Sequence, residues 1–479
     1  MMIMDAVSAT EVPQGANLAD RAAISFLRYI EQKLNVSIMR DVRGSSSDQS
    51  LQEPLQLAAL LKKTGVIKTF EKYPDISDEP RMKWWYALCN DATSHRTGGT
   101  TWHSDSDALF ATLAEALERY IWYTQTDYFM NPAQTSVDGV RSRGVLVSPE
   151  TFVGFSNEQR REPGRTLSHD AEYLWIEGTS LVRAERIFIP AQAVSGARYR
   201  NSWHGAKEPL LRPHTTNGLA TWPTQTGARL AGALEILERD AYMIMWLNQL
   251  TLPRISLKTL TAHDGGLARS VAVCERYGLK THALQLLTDA PTHAVAVVME
   301  DMSGHAPRFT IGLRAHRSLT AAIQKAMTEA LRARRGCRMW LDAGNIWDVS
   351  VPVSKIGHRE RLFYWSVPAH AQKLEFLIQG PEVEVEQAAW ENDNDEGHLQ
   401  RIVEWCAKKE YECVAVSLGG SAKNPTPLFI EMVVIPELQP AYLTESTRAF
   451  GGKRLHDVPA AYGYTPLKMP FAERPHPFS

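Results

Sequence analysis

Two pentads decide how this chain is read: Glu115-Ala116-Leu117-Glu118-Arg119 and, further on, Glu235-Ile236-Leu237-Glu238-Arg239. Each lies in an apolar-periodic stretch that predicts a helix. In a helix the two carboxylates at i and i+3 and the arginine at i+4 project from one face. One such pentad alone reads as a solvated helix face. Two copies, each in distinctive surroundings, point to carboxylates converging from two helices. Paired acids beside a guanidinium suit a hard divalent cation and phosphate oxygens, because Mg²⁺ takes oxygen ligands and arginine binds phosphate bidentately.

The flanks supply further candidate parts. Ser94-His95-Arg96-Thr97-Gly98-Gly99-Thr100 precedes the first pentad and Thr216-Asn217-Gly218-Leu219-Ala220 the second. Both read as glycine turns that allow close backbone approach to a phosphate or a metal-bound water. A third helix, Lys325-Ala326-Met327-Thr328-Glu329-Ala330-Leu331-Arg332-Ala333-Arg334, places Lys325, Glu329 and either Arg332 or Arg334 along a related face. Such a cluster neutralises a phosphate tail. The chain has no G-x-x-x-x-G-K-[ST] loop, no H-E-x-x-H helix and no G-x-S-x-G elbow.

With 479 residues, 44% hydrophobic and 22% charged, the composition is that of a globular protein large enough for several folding units. Its 52 basic and 54 acidic residues leave a net charge of −2, which argues against a general nucleic-acid binder. The five cysteines form no C-x-x-C pair, which disfavours a disulfide framework and a tetrathiolate zinc site, and buried packing is their expected role. The N-terminus lacks a signal-peptide pattern and no run of about 18 apolar residues occurs, so the expected setting is cytoplasmic, without membrane contact.

Along the chain, helices are predicted over residues 20–33, 54–63, 107–123, 227–247, 318–335 and 398–409. Strands are predicted over 186–190, 282–287, 293–300, 308–315, 413–418 and 428–435. This mixture indicates an α+β or α/β architecture with substantial sheets. The acidic, proline-containing stretch Tyr73 to Pro80 marks a junction. The expected organisation is therefore a small, mostly helical N-terminal region, 1–85, suited to docking a partner, and a catalytic domain, 86–479. Trp84-Trp85-Tyr86 at the boundary reads as core.

From about Ala87 onward the sequence resembles the YcaO family. The resemblance rests on both pentads, on Trp175-Ile176-Glu177-Gly178-Thr179-Ser180-Leu181 leading to Ile189-Pro190-Ala191, and on Asn217-Gly218-Leu219-Ala220. Thr328-Glu329-Ala330 and the ending Pro470-Phe471-Ala472-Glu473-Arg474-Pro475-His476-Pro477-Phe478-Ser479 complete it. It implies an α+β fold of the YcaO type, with mixed sheets and packed helices around an ATP site. It further implies an azoline-forming cyclodehydratase that uses ATP and Mg²⁺ to phosphorylate a backbone amide oxygen of a ribosomal precursor peptide. Neighbouring Cys, Ser or Thr side chains then close to thiazoline or oxazoline rings.

Carried over residue by residue, the resemblance makes Glu115, Glu118, Glu235 and Glu238 the metal and nucleotide acids. Arg119, Arg239, Lys325 and Arg334 become the phosphate-side cations, and Ser94, Asn217 and Glu329 further nucleotide contacts. The proline-rich end, with Pro475, Pro477 and the terminal carboxylate of Ser479, is expected to reach the reacting centre beside Arg239. The match is partial, since the last residue is Ser479 rather than proline. Arg96 stands where the family often has a lysine, Lys325 where arginine is common and Arg332 where glutamine is common; a lysine lacks the guanidinium fork. Expected partners are the precursor peptide, a separate leader-peptide-binding protein and a flavin-dependent azoline dehydrogenase, in a homodimer or hetero-oligomer. Thioamide or amidine formation on the same activated amide, and a noncatalytic scaffold, are the alternatives.

Overall fold

The computed structural model describes residues 51–90, 96–124, 133–168, 170–195, 208–419, 424–468 and 471–478. The first strands are β1 (Ile67–Lys72), β2 (Lys83–Cys89), β3 (Arg96–Thr101), β4 (Ala133–Thr135), β5 (Tyr173–Ser180), β6 (Glu185–Pro190) and β7 (Leu219–Trp222). They are followed by β8 (Arg254–Ile255), β9 (Leu279–Gln285), β10 (His293–Asp301), β11 (Phe309–His316), β12 (Glu382–Val383), β13 (Val414–Ser417) and β14 (Phe429–Val434). The longer helices are α1 (Gln52–Lys63), α2 (Asp105–Thr124), α3 (Gln225–Leu247), α4 (Gly265–Arg276), α5 (Leu319–Asp342), α6 (Asp395–Lys408) and α7 (Arg454–Ala461).

Among the described residues three sheets form, ordered β1-β2-β3, then β4-β5-β13-β14-β7 with β6 also on β5, and β11-β10-β9-β8-β12. All ladders are antiparallel except the short β8–β12 pair. Helices cover the sheets, as an α+β layer arrangement requires. β10 is buried along its whole length. Its Ala294, Ala296 and Val298 pack with Tyr242 and Trp246 of α3, while Val295, Val297 and Met299 pack with Ala322, Ala326 and Ala330 of α5. α3 also buries Leu230, Leu234 and Leu237 against Val433 and Ile435, so it bridges two sheets. α2 does likewise, burying Leu113 and Leu117 in a core shared with Ala87 of β2 and Ile430 of β14.

Each of these three helices starts on a hydroxyl cap. The Oγ atoms of Ser104 and Ser318 and Oγ1 of Thr224 accept from the amides of Asp107, Ala321 and Gly227 at 3.0, 3.3 and 3.1 Å. Two helices then approach their sheets at glycine. A Cβ on Gly99 of β3 would lie 2.2 Å from the Ala108 carbonyl oxygen of α2, and one on Gly312 of β11 would lie 2.0 Å from that of Ala326 in α5.

The predicted helices and strands are present with end shifts of a few residues, except that the helix expected to end at 335 runs on to Asp342 and that residues 20–33 lie outside the described residues. Two expectations are corrected. The glycine stretch at 96–101 is a strand, because β2 pairs with it although glycine carries little strand propensity, whereas the second stretch does turn at Asn217-Gly218, with Gly218 at φ +91°, and only then enters β7. The boundary expected at residue 85 falls inside β2, so residues 51–85 are not a separate helical unit: only α1 is helical there, and β1 and β2 share a core with α2. The acidic 73–80 junction acts as a clasp, with Asp78 and Glu79 bonded to Arg338 at 2.5 and 3.0 Å. All five cysteines are buried and none forms a disulfide. Among the described residues no helix is long and apolar enough to cross a membrane.

The tight contact at Gly312 has a measurable consequence. Gly312→Ala forces α5 away from β11 and should destabilise the protein by at least about 1–3 kcal/mol, read as an earlier chemical-denaturation midpoint.

Candidate active site

β3, β7 and β11 are terminal strands, one from each sheet. A terminal strand leaves outward amides without a strand partner. Here glutamates from α2, α3 and α5 accept from those amides. On β3, Gly98 N–H donates to Glu115 Oε2 at 3.2 Å; at the start of β7, Gly218 N–H donates to Glu235 Oε2 at 3.0 Å. On β11, Leu313 N–H donates to Glu329 Oε2 at 2.8 Å and Ala315 N–H to Glu238 Oε2 at 2.9 Å. The backbone of Thr221 in β7 hydrogen-bonds Glu118. Both pentads and the third helix thus contribute acids to one place, each held by main chain.

The remaining carboxylate oxygens face cations and one another. Glu115 Oε1 is 3.7 Å from Arg119, Glu235 Oε1 3.4 Å and Glu238 Oε1 3.2 Å from Arg239, and Glu329 Oε1 3.8 Å from Arg332. Burial pushes Glu118 up to about 8, against the pull of Arg119 and with help from the charges of Glu115 and Glu235. Burial likewise pushes Glu238 up to about 7, against Arg239 and Arg314, with Glu329 and Glu235 adding repulsion. Burial alone would lower the Arg119 and Arg239 pKa values, but the surrounding carboxylates raise both.

Such a surplus of desolvated negative charge is relieved by a divalent cation. Among the described residues no three His, Cys, Asp or Glu side chains form a ready metal cage. That suits Mg²⁺, which keeps several waters and binds through one or two carboxylates together with substrate phosphates.

Cations line the neighbouring wall. Lys325 is exposed, yet desolvation, with Arg314 and Arg317 nearby, pushes its ammonium down to about 7. Its two cationic neighbours act in the same direction as the desolvation, and the carboxylate of Asp395 opposes them. Arg332 donates to the Gly98 carbonyl at 3.1 Å, tying α5 to β3. Asn217 lies beside the Gly218 amide that holds Glu235, with its own N–H on Thr215 Oγ1 at 3.3 Å.

Arg334 is a correction. At 100° per residue it stands half a turn away from Lys325, whereas Arg332 stands close to the Lys325–Glu329 line. It is buried in a separate ion cluster, 2.7 Å from Asp301 and 3.2 Å from Glu79, and is fully neutralised there. Arg332 takes the place expected of it. Arg96 likewise turns outward, its guanidinium over the Tyr86 ring at 4.8 Å. Ser94 and Ser479 lie outside the described residues.

The proline-rich end is packed. Pro475, His476 and Pro477 are buried, and Trp365 Nε1 donates to the Pro475 carbonyl at 3.1 Å. Tyr242 lies edge-on to His476 and Phe478, each with ring centres 5.8 Å away. The Phe478 ring covers the Arg239 guanidinium at 4.2 Å, a cation–π contact that joins the tail to the acids of α3. Phe478, Tyr242, Trp365 and Arg314 are site-region residues that the motifs did not mark. For Phe478 the usable signal was its place in the tail whose prolines drew attention.

The chain and its fold are similar to those of known proteins. The chain is 26% identical over 192 residues to an uncharacterised protein of Methanothermobacter thermautotrophicus, covering 39% of this chain and 47% of that one. It spans about half the length of that relative. In structure it resembles a heterocyclase in complex with substrate and cofactor, with a TM-score of 0.70 and 19% identity, covering 94% of this chain and 60% of the other. It also resembles YcaO from Methanopyrus kandleri bound with AMPPCP and Mg²⁺, with a TM-score of 0.61 and 16% identity over 87% of this chain and 98% of that one. Residues 102–439 match the family description "YcaO cyclodehydratase, ATP- and Mg²⁺-binding", and the chain belongs to the YcaO family.

Proposed function

We propose that this protein is an ATP-dependent cyclodehydratase acting on a ribosomally made precursor peptide. The observation that carries the reading is the meeting of five glutamates from three helices on three sheet edges, with Lys325, Arg239 and Arg119 beside them. Glu115, Glu118, Glu235 and Glu238 would hold Mg²⁺, which would neutralise the charge that develops on the phosphates. Arg119, Arg239, Arg332 and Lys325 flank the phosphates, and Asn217 and Glu329 add nucleotide contacts.

The chemistry follows from the substrate. An amide oxygen is a very poor leaving group. Transfer of the γ-phosphoryl group to it breaks the terminal phosphoanhydride bond of ATP and forms a C–O–P linkage. A neighbouring Cys, Ser or Thr side chain bonds to the amide carbon and loses its proton; cleavage of the C–O bond then releases phosphate while the amide nitrogen gives up its proton and the ring C=N bond forms. The peptide loses one water in total and an azoline remains. The protein's part is alignment and charge neutralisation. The tail, through Pro475, Pro477 and Phe478, closes the site beside Arg239. A separate leader-peptide-binding protein presents the precursor, and a flavin enzyme can oxidise the ring afterwards.

The direct test incubates the chain with ATP, Mg²⁺, a precursor peptide and its presenting partner: peptide mass should fall by about 18 units per ring, with phosphate released. A peptide of unchanged mass despite ATP hydrolysis would overturn ring formation. Glu115→Gln and Glu238→Gln should each lower Mg²⁺-dependent ATP turnover by about 100-fold or more while the protein stays folded, because glutamine still accepts the strand amide. Phe478→Ala should slow ring formation by about tenfold with Mg·ATP affinity little changed, measured by peptide mass and by calorimetry.

The raised acids also set a pH dependence. In the metal-free protein Glu118 and Glu238 keep protons up to about 8 and about 7, whereas the unfolded chain releases them near 4.5. The folded state therefore binds more protons between these limits, and these two groups make stability fall as pH rises through that window. Mg²⁺ needs the ionised carboxylates, so its thermal stabilisation of the protein should be larger at about pH 8 than at about pH 6, as melting curves with and without Mg²⁺ will show.

A further inference from the structure

Arg314 sits on β11 between the two residues whose amides hold the acids, Leu313 for Glu329 and Ala315 for Glu238. Its place in the strand is fixed on the other side by β10, where it lies opposite Val295. Side chains alternate along a strand, so Arg314 projects to the same side as Gly312, the face on which α5 packs. Glu238 and Lys325 both feel its charge.

What sets this arginine apart is that its charge is left over. Its neighbour Arg317 is neutralised by Asp395 at 2.5 Å and the more distant Arg334 by Asp301 at 2.7 Å. Among the described residues neither Arg314 nor Lys325 has a carboxylate at ion-pair distance, and the Arg314 Nε is buried with no hydrogen-bond partner. Two neighbouring uncompensated cations repel each other, and a buried donor without an acceptor is destabilising. An anion with several oxygens relieves both. Lysine offers it a point charge, while a guanidinium offers two parallel donors that fit one phosphate group.

We propose that Arg314 is a phosphate-binding residue of this cleft, gripping the anionic chain of the nucleotide by its guanidinium fork while Lys325 neutralises the same group from α5. The inference rests on the reading of the cleft as an ATP site. It places the phosphates beside the β11 edge, on the face against which α5 packs. A role confined to holding Glu238 would require an Arg314–Glu238 ion pair, and Glu238 is instead held by Arg239 and the Ala315 amide.

The test is calorimetric titration of the full-length protein with Mg·ATP and, separately, with adenosine, which has the base and sugar but no phosphate. For Arg314→Gln the Mg·ATP Kd should rise about 10- to 100-fold while the adenosine Kd is unchanged, and Arg314→Lys should recover part of the loss. Melting curves of the variants show whether the fold is kept. Mg·ATP binding by Arg314→Gln within about twofold of the unaltered protein would overturn the proposal. So would an equal loss of adenosine affinity, which marks a structural role. If the unaltered protein binds no Mg·ATP, the ATP-site reading itself falls and the inference with it, whereas failure in the variant alone leaves that reading standing.

Discussion

The site depends on one interaction made repeatedly: a glutamate side chain on the outward amide of a sheet's last strand. A buried amide without a partner is costly, and a carboxylate without a donor is costlier still. Bringing β3, β7 and β11 together supplies donors for acids that could not otherwise be packed so closely. The backbone stabilises one oxygen of each and sets where the other points. Repulsion among the acids remains, and Glu118 and Glu238 show it in their raised pKa values. That remaining repulsion gives the site its appetite for a divalent cation.

This arrangement explains why the helices had to be long and capped. α2, α3 and α5 each carry an apolar side into a core and an acidic side to the edges, and α2 and α5 touch their sheets at glycine. The N-terminal hairpin belongs to the same assembly. Its Glu79 lies between Arg334 and Arg338, so β1 and β2 are locked to the far end of the helix that bears Lys325 and Glu329. Separating that hairpin from the body would strand buried charges, which is more costly than breaking a surface contact.

Much of this was legible in the sequence, and the limits have physical causes. Helical acids at i and i+3 are local features, so both pentads could be read directly, and Glu329 followed from its own helix. The exclusion of Arg334 was equally local: nine residues from Lys325 is half a turn off, and the helical wheel favours Arg332. The strand character of 96–101 and 219–222 was not local, because it comes from ladders with β2 and β14. Arg314 carried no motif, since its importance arises from amides on either side bonding to helices remote in sequence. The domain boundary failed for a related reason: proline and acidic residues mark a connection, and only tertiary ion pairs reveal it as a fastening.

The edge contacts also bear on how such a protein could lose its activity. A strand edge released from its carboxylates becomes a template for pairing with another chain. Alanine at Glu115, Glu235, Glu238 or Glu329 would remove a reactive group and also bare a segment prone to self-association. A descendant that abandoned catalysis without becoming insoluble would therefore be expected to carry glutamine at these places, preserving the acceptor after the charge had gone.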